Sequence, residues 1–337
     1  MKISLIIPLY NCLPLTQAML ASLRETLPPN LDCEIILVDD VSTDGTRAWL
    51  AGFCQPAVSL SNPPTTAHAP YRAILNEKNL GFAAACNRGA AGATGEFLFF
   101  LNNDLVLLPR WLEPMLAAFD RFPAAGLVGN VQLNAATGAV DHAGIFFSHQ
   151  GKPAHDTSIF PLTRLMGLPA FRPVDALTGA CFAIRSSTWR LLGGFDEGFI
   201  NGSEDIDLCL RAHAAGLRHY IALRSVVRHH LSASAGRKLH DEQNTFRLVE
   251  RWREKIALLA ARDWSRQQII THADQSGVFD YSTIQAALAY LLVLPVPPWP
   301  VRAGVAAAMA RERQRWGELL EGAPAAPVPP SVWIGLI

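Results

Sequence analysis

The chain has no excess of charge of either sign: its 337 residues carry 29 Lys and Arg against 29 Asp and Glu. No basic cluster stands out either, so the electrostatic footprint of a nucleic-acid binder is missing. No Gly-x-Gly-x-x-Gly follows the first strand-like run, and no Gly-x-x-x-x-Gly-Lys-Ser/Thr occurs anywhere, which argues against a dehydrogenase and a P-loop enzyme. The six cysteines, Cys12, Cys33, Cys54, Cys86, Cys181 and Cys209, lack the close pairs that zinc and redox motifs need. They read as small core residues of a protein in a reducing cytoplasm. Met1-Lys2-Ile3-Ser4 runs straight into a strand-like segment without a small-residue cleavage site, so no signal peptide is expected. The apolar run Ala286 to Leu294 ends at Pro295, far short of the ~20 residues a membrane span requires.

What is present is a repeated strand–helix pattern. Ile3 to Ile7, stopped by Pro8, precedes a helical stretch from about Leu15 to Leu27. Glu34 to Val38 ends in Asp39-Asp40, and Ser42, Thr43 and Asp44 then offer caps for a helix from Thr46 to Phe53. Tyr71 to Leu75 leads through Asn79-Leu80-Gly81-Phe82 into an Ala-rich helix. Phe97 to Leu101, five apolar residues after Gly95 and Glu96, reads as a strand buried on both faces. It is followed by Asn102-Asn103-Asp104 and by a helix from about Pro109 to Arg121.

Open α/β sheets bind ligands at the carboxyl ends of their strands. Three such ends place Tyr10-Asn11, Asp39-Asp40 and Asn102–Asp104 on one rim. Singly, an Asn-Asn-Asp run is a turn and an Asp after a strand is a helix cap; together the three indicate a ligand site. A carboxylate and an amide two residues apart suit a divalent cation that also holds a diphosphate, because Mg²⁺ takes one or two protein carboxylates plus phosphate oxygens and water. Tyr10 offers a flat apolar surface to a base, and Asp40 an acceptor for a base N–H.

Further along, Gly126 to Val131 and Ala139 to Phe147 read as strands, and residues 148–173 as a Pro- and Gly-rich mobile loop. Leu177 to Arg185 is a strand with small residues, Gly179 and Ala180, at its entry, where a ligand approaches closely. Ser203 is a cap for a helix reaching Ala215, with Glu204, Asp205 and Asp207 in its first turn. The helix dipole favours acids there, and one of them on the rim is also suited to act as a general base. Ser225 to Arg228 ends in His229-His230; His229 reads as either a cation ligand or a structural histidine.

With Ile6-Ile7-Pro8-Leu9-Tyr10-Asn11, Val38 to Thr46, Asn79-Leu80-Gly81-Phe82 with Asn87, Gly95 to Asp104, and Gly193 to Glu197 with Glu204 to Leu208, the chain resembles the family-two glycosyltransferases over roughly residues 1 to 235. The resemblance implies the α/β GT-A (Rossmann-like) fold, with a mostly parallel central sheet flanked by helices, and inverting transfer from a nucleotide-diphosphate sugar with Mg²⁺ or Mn²⁺. By position it implies that Pro8, Tyr10, Asn11, Asp39, Asp40, Asn87, Asn102 and Asn103 bind the nucleotide sugar. Asp104 matches the last acid of the family's Asp-x-Asp motif and, with His229, would hold the metal. Asp205 matches the acid that takes the acceptor proton, with Gly179, Ala180 and Glu204 on the acceptor side. Asn102 stands where Asp is usual, a departure similar to rhamnosyltransferase-like relatives and one that lowers the charge offered to the cation.

Residues 1–125 are expected to form the nucleotide-sugar half and 126–235 the acceptor half, a glycan or lipid-linked glycan being the acceptor. Residues 236–321 are expected to form a helical appendage and 322–337 a flexible tail. The apolar runs of the appendage fit a plain helical unit, a dimer surface or a peripheral contact with the inner face of the cell membrane. Two rival functions are a sugar-1-phosphate nucleotidyltransferase, which would need a Gly-rich basic loop where Leu9-Tyr10-Asn11-Cys12 stands, and a non-catalytic nucleotide-sugar or carbohydrate binder.

Overall fold

A computed structural model describes residues 1–53, 71–158, 170–230, 240–274 and 281–320. The tail 322–337 and the middle of segment 148–173 lie outside the described residues. The chain divides into two compact units, Met1–Ile145 with His155–Lys238, and Phe146–Ala154 with Leu239–Ile337.

In the first unit β1 (Ile3–Leu9), β2 (Cys33–Asp39), β3 (Tyr71–Leu75) and β4 (Phe97–Leu101) lie parallel in the order β4-β1-β2-β3. The sheet then becomes mixed. β11 (Cys181–Arg185) runs antiparallel to both β4 and β6 (Ala125–Asn134), and β12 (Arg218–His229) runs parallel to β6. β10 (Phe171–Val174) closes that edge, while β5 (Leu105–Leu107) pairs with β12 and β7 (Val140–His142) with β6.

The central strands are apolar on both faces because both are covered. Alternate residues Leu5, Ile7 and Phe99 meet Met19, Leu20 and Leu23 of α1 (Leu13–Thr26) and Met115 and Phe119 of α4 (Glu113–Arg121). On the other face α3 (Phe82–Ala91) packs so closely that a Cβ on Gly89 would meet Ile6 and Val38. There Phe100 stacks on Phe182 and packs tilted against Trp189 of α5 (Ser186–Leu192), with ring centroids 4.8 and 4.4 Å apart. Side chains of this size each contribute about 2–3 kcal/mol on burial.

Several strand boundaries depart from the sequence reading. β1 does not stop at Pro8 but reaches Leu9. The Leu9 carbonyl accepts from Asp40 N–H on the β2 side, so Pro8 faces the β4 side, where pairing has already ended at Ile6 and a missing N–H costs nothing. The run Ala139 to Phe147 is split at Gly144, φ 122°, into β7 and β8 (Ile145–Phe147). Residues 148–173, read as a loop, contribute β9 (Pro153–His155) and β10, strands too short to show a period.

The second unit holds the β8–β9 hairpin and the helices α7 (Asp241–Asp274), α8 (Tyr281–Leu292) and α9 (Trp299–Leu320). Lys152 in the hairpin turn pairs with Glu312 at 2.6 Å, and His149 N–H donates to Asp263 at 2.7 Å. α7 is kinked at Trp252, and the Trp264 ring packs against Gly304 of α9, where any side chain would collide with it. No helix among the described residues is long and apolar enough to cross a membrane.

In the first unit His219 is fully enclosed: its Nδ1 accepts from Leu127 N–H and its Nε2–H donates to the Cys209 carbonyl. Burial lowers its pKa to about 4, outweighing the bond to Cys209. The unfolded chain therefore binds a proton at about pH 6.5 that the folded one refuses, and stability present above that pH is lost as pH falls toward 4. Urea denaturation of the wild type and His219→Gln between pH 7 and 4.5 is expected to show a stability slope shallower by about one proton, or about 1.4 kcal/mol per pH unit, in the variant. Parallel slopes would refute it.

Candidate active site

The carboxyl ends of β1 and β2 are stitched together by side chains. Asn11 N–H donates to Ser42 Oγ at 2.8 Å, Thr43 N–H donates to Asn11 Oδ1 at 2.7 Å, and Leu13 N–H donates to Asp44 Oδ2 at 2.8 Å. Asn11, Cys12 and Val41 all have positive φ (56°, 60° and 67°). In Val41, a β-branched residue, this is backbone strain of about 1–3 kcal/mol held by its surroundings. Asp39 is fully buried, bonded to Ser42 N–H and 3.5 Å from Arg47, so it shapes the turn. Tyr10 is exposed at the rim, whereas Pro8 is buried within β1.

Asp40 faces inward. Its Oδ1 accepts from Asn76 Nδ2 and Leu80 N–H at 2.8 and 2.9 Å, and its Oδ2 from Gly81 N–H at 2.8 Å. An acceptor for a base N–H was expected from its place in sequence; its oxygens are instead engaged in fixing the turn into α3. Asn87 is similarly committed. Its Nδ2 donates to the Phe195 carbonyl and Glu197, and its Oδ1 accepts from Phe195 N–H, clamping the Gly193–Glu197 loop onto α3.

The end of β4 is the meeting point. Cys181 opposes Leu101 across β11 and β4, and one step further Asn102 N–H donates to the Ala180 carbonyl at 2.8 Å. Gly179 N–H donates to Asp205 Oδ2 at 2.6 Å, and Asp205 Oδ1 accepts from Ile206 N–H in the first turn of α6 (Glu204–Ala214). A Cβ on Gly179 would crowd both Asp205 and Phe82 at 3.3–3.4 Å. Phe82 N–H in turn donates to Asn201, next to the Gly81 that bonds Asp40. Asn103 Nδ2 donates to the Asn11 carbonyl and to Thr16. Glu204, buried, accepts from Gly202 N–H; burial first, and then the negative charges of Glu204 and Asp40, push the pKa of the Cys86 thiol up. Ser203 precedes α6 with φ 70° and forms no side-chain cap bond, contrary to the role read for it from sequence.

His229 reaches the site through a pairing invisible in the sequence. β5 lies antiparallel to β12 with Leu105 opposite His229, and His230 N–H donates to the Asp104 carbonyl. This sets His229 Nε2 3.2 Å from Asp104 Oδ1, both residues being over nine-tenths buried and neither atom completing a hydrogen bond. Adjacent ligands of an octahedral cation at about 2.1 Å lie about 3 Å apart. The pair therefore fits a divalent ion; among the described residues no His, Cys, Asp or Glu joins it to make a set of three.

A buried polar layer escaped the sequence reading. Asn130 Oδ1, both ends of the Gln132 amide and His142 Nδ1 are buried without hydrogen-bond partners. Gln132 opposes His142 across β6 and β7 and Val227 across β12, two residues before His229. His142 Nε2 accepts from Gly144 N–H at 3.2 Å, so the ring carries its proton on Nδ1. Burial lowers its pKa well below 6.5, which keeps it neutral. The signal available was polar residues at alternate positions, Asn130 and Gln132, in an otherwise apolar strand.

Comparison with known proteins places these residues in context. The model of the family described as Glycosyl transferase family 2 matches residues 4–189. The O-antigen biosynthesis protein RfbC of Myxococcus xanthus is 32% identical over 245 residues, covering 69% of this chain but only 18% of that protein's length. N-acetylglucosaminyl-diphospho-decaprenol L-rhamnosyltransferase of Mycobacterium tuberculosis is 28% identical over 252 residues, 68% of this chain and 76% of that protein. The crystal structure of GalNAc-T7 with UDP, GalNAc and Mn²⁺ shares the fold with a TM-score of 0.60 at 17% identity, covering 86% of this chain and 55% of that one.

The inward bonds of Asp40 give a direct test. Asp40→Ala leaves three donors without their acceptor, a loss of about 3 kcal/mol or more, and thermal denaturation is expected to show a melting temperature lower by about 10 °C. An unchanged melting temperature would mean that Asp40 does not hold this turn.

Proposed function

The chain belongs to glycosyl transferase family 2, and from that premise we propose that it moves a sugar, with inversion, from a nucleotide-diphosphate donor to a hydroxyl of a glycan or lipid-linked glycan. The observation that carries this reading is the position of one strand end, Asn102–Asp104, between two different chemistries. On one side its Asn102 is bonded to Ala180, next to the Gly179 that holds the Asp205 carboxylate; on the other Asp104 meets His229.

Displacement at an anomeric carbon builds negative charge on the departing diphosphate and requires a proton to leave the attacking hydroxyl. Asp104 and His229 would hold a Mg²⁺ or Mn²⁺ ion, which when bound supplies several kcal/mol of charge stabilisation to the leaving group. Asp205, oriented by Gly179 N–H and Ile206 N–H, would take the hydroxyl proton, a contribution of about 10²- to 10⁴-fold. A Cβ at position 179 would push that carboxylate aside by a few tenths of an ångström. Tyr10, exposed beside the stitched β1 and β2 ends, would offer its ring to the base, with Asn11 and Asn103 setting the loop beneath it. Asp39, Asp40 and Asn87 would act from behind, as positioning residues for those loops. The name of the Mycobacterium tuberculosis relative, together with Asn102 at the place where Asp is usual, supports a deoxyhexose donor.

Thermal stabilisation by a panel of nucleotide sugars, with and without Mn²⁺, is expected to identify a donor whose effect depends on the ion in the wild type and loses that dependence in Asp104→Ala. With that donor, Asp205→Asn is expected to lower turnover by about 100-fold or more while the donor-induced stabilisation persists. Transfer at the wild-type rate by Asp205→Asn would remove Asp205 from the role.

A further inference from the structure

We propose that the ridge formed by α8 and the turn into α9 is a membrane-interface contact that seats the second unit on an anionic bilayer. It goes beyond the transfer reading and uses none of its residues. From Tyr281 to Val301 the sequence contains no charged residue. In a helical unit such a run is normally core, yet Ala287 is the one buried residue of α8. Leu292, Val293, Val296 and Trp299 are 67–79% exposed, and Leu288, one helical turn before Leu292, is also exposed. A contiguous apolar surface of this kind marks an interaction site.

The backbone of the ridge suits an apolar medium. Four of the eight residues from Val293 to Pro300 are prolines and carry no N–H. Val293 and Leu294 N–H both donate to the Ala289 carbonyl. At most two N–H groups of the turn are left for headgroups or water, which is what insertion into the interface demands. Trp299 at the turn has the amphipathic ring that settles at headgroup level.

The surrounding charge selects the partner. Trp264 and Gln268 of α7, Ser282 and Thr283 of α8, and Trp299 and Gly304 of α9 line one cavity of about 360 Å³, so these segments lie together. Between Tyr281 and Ala310 the one charged residue is Arg302, exposed and one helical turn beyond Trp299. An apolar ridge with a cation at its edge matches anionic lipid.

Flotation of the purified full chain with phosphatidylcholine vesicles, with and without phosphatidylglycerol, tests the assignment. The wild type is expected to float with the phosphatidylglycerol vesicles. Val293→Asp with Val296→Asp should lower the bound fraction by about tenfold or more, and Arg302→Gln by about fivefold. Both variants alter exposed side chains and should retain the wild-type melting temperature and the wild-type rate toward a water-soluble acceptor. The proposal fails if the wild type stays at the bottom of both gradients or if the double aspartate variant floats like the wild type. It also fails if sedimentation velocity shows a dimer that this variant converts to monomer. None of these failures would touch the transfer reading, which stands on the soluble assay.

Discussion

The arrangement depends on two backbone hydrogen bonds made by neighbouring residues, Gly179 N–H to Asp205 and Asn102 N–H to the Ala180 carbonyl. Gly179-Ala180 is the entry to β11, the strand that reverses the sheet between β4 and β6. Because β11 is antiparallel to β4, its beginning lies beside β4's end, and the residues leading into it meet the polar run leaving β4. One dipeptide thus couples the first turn of α6 to the centre of the sheet. A side chain larger than hydrogen at position 179 would press on Asp205 and Phe82 together.

The second half of the site depends on β5, only three residues long. Its antiparallel pairing with β12 turns the chain back immediately after Asp104 and draws His229 against that carboxylate. A buried carboxylate and an imidazole, neither completing a hydrogen bond, beside a layer of Asn130, Gln132 and His142 atoms that also lack partners, form a costly assembly for a fold to maintain. Polar groups left in this condition are characteristic of a place where a ligand completes them.

The sequence revealed much of this framework, and the reason is physical. Parallel strands covered on both faces are unbroken apolar runs, so β1, β2 and β4 and the polar residues at their ends were readable, as was the convergence of those ends on one rim. Side-chain destinations were not. Asp40 and Asn87 look like ligand groups because they are polar and sit near strand ends or helix starts, but each is used by a loop distant in sequence, Leu80-Gly81 and Phe195–Glu197, and no local pattern encodes that. β5, β9 and β10 are too short to show a period, and the polar layer of β6 and β7 became apparent only when Gln132 and His142 were seen opposite each other.

The central claim is that Asp104 and His229 form one cation site that works with a diphosphate. Titration of Mn²⁺ into the protein in the presence of a nucleoside diphosphate, followed by loss of the free-ion electron paramagnetic resonance signal, measures this directly. The account predicts a single ion bound per chain, with affinity reduced by about tenfold or more in both Asp104→Asn and His229→Ala and unchanged in Asp205→Asn. Equal Mn²⁺ affinity in the wild type and in the first two variants would contradict it.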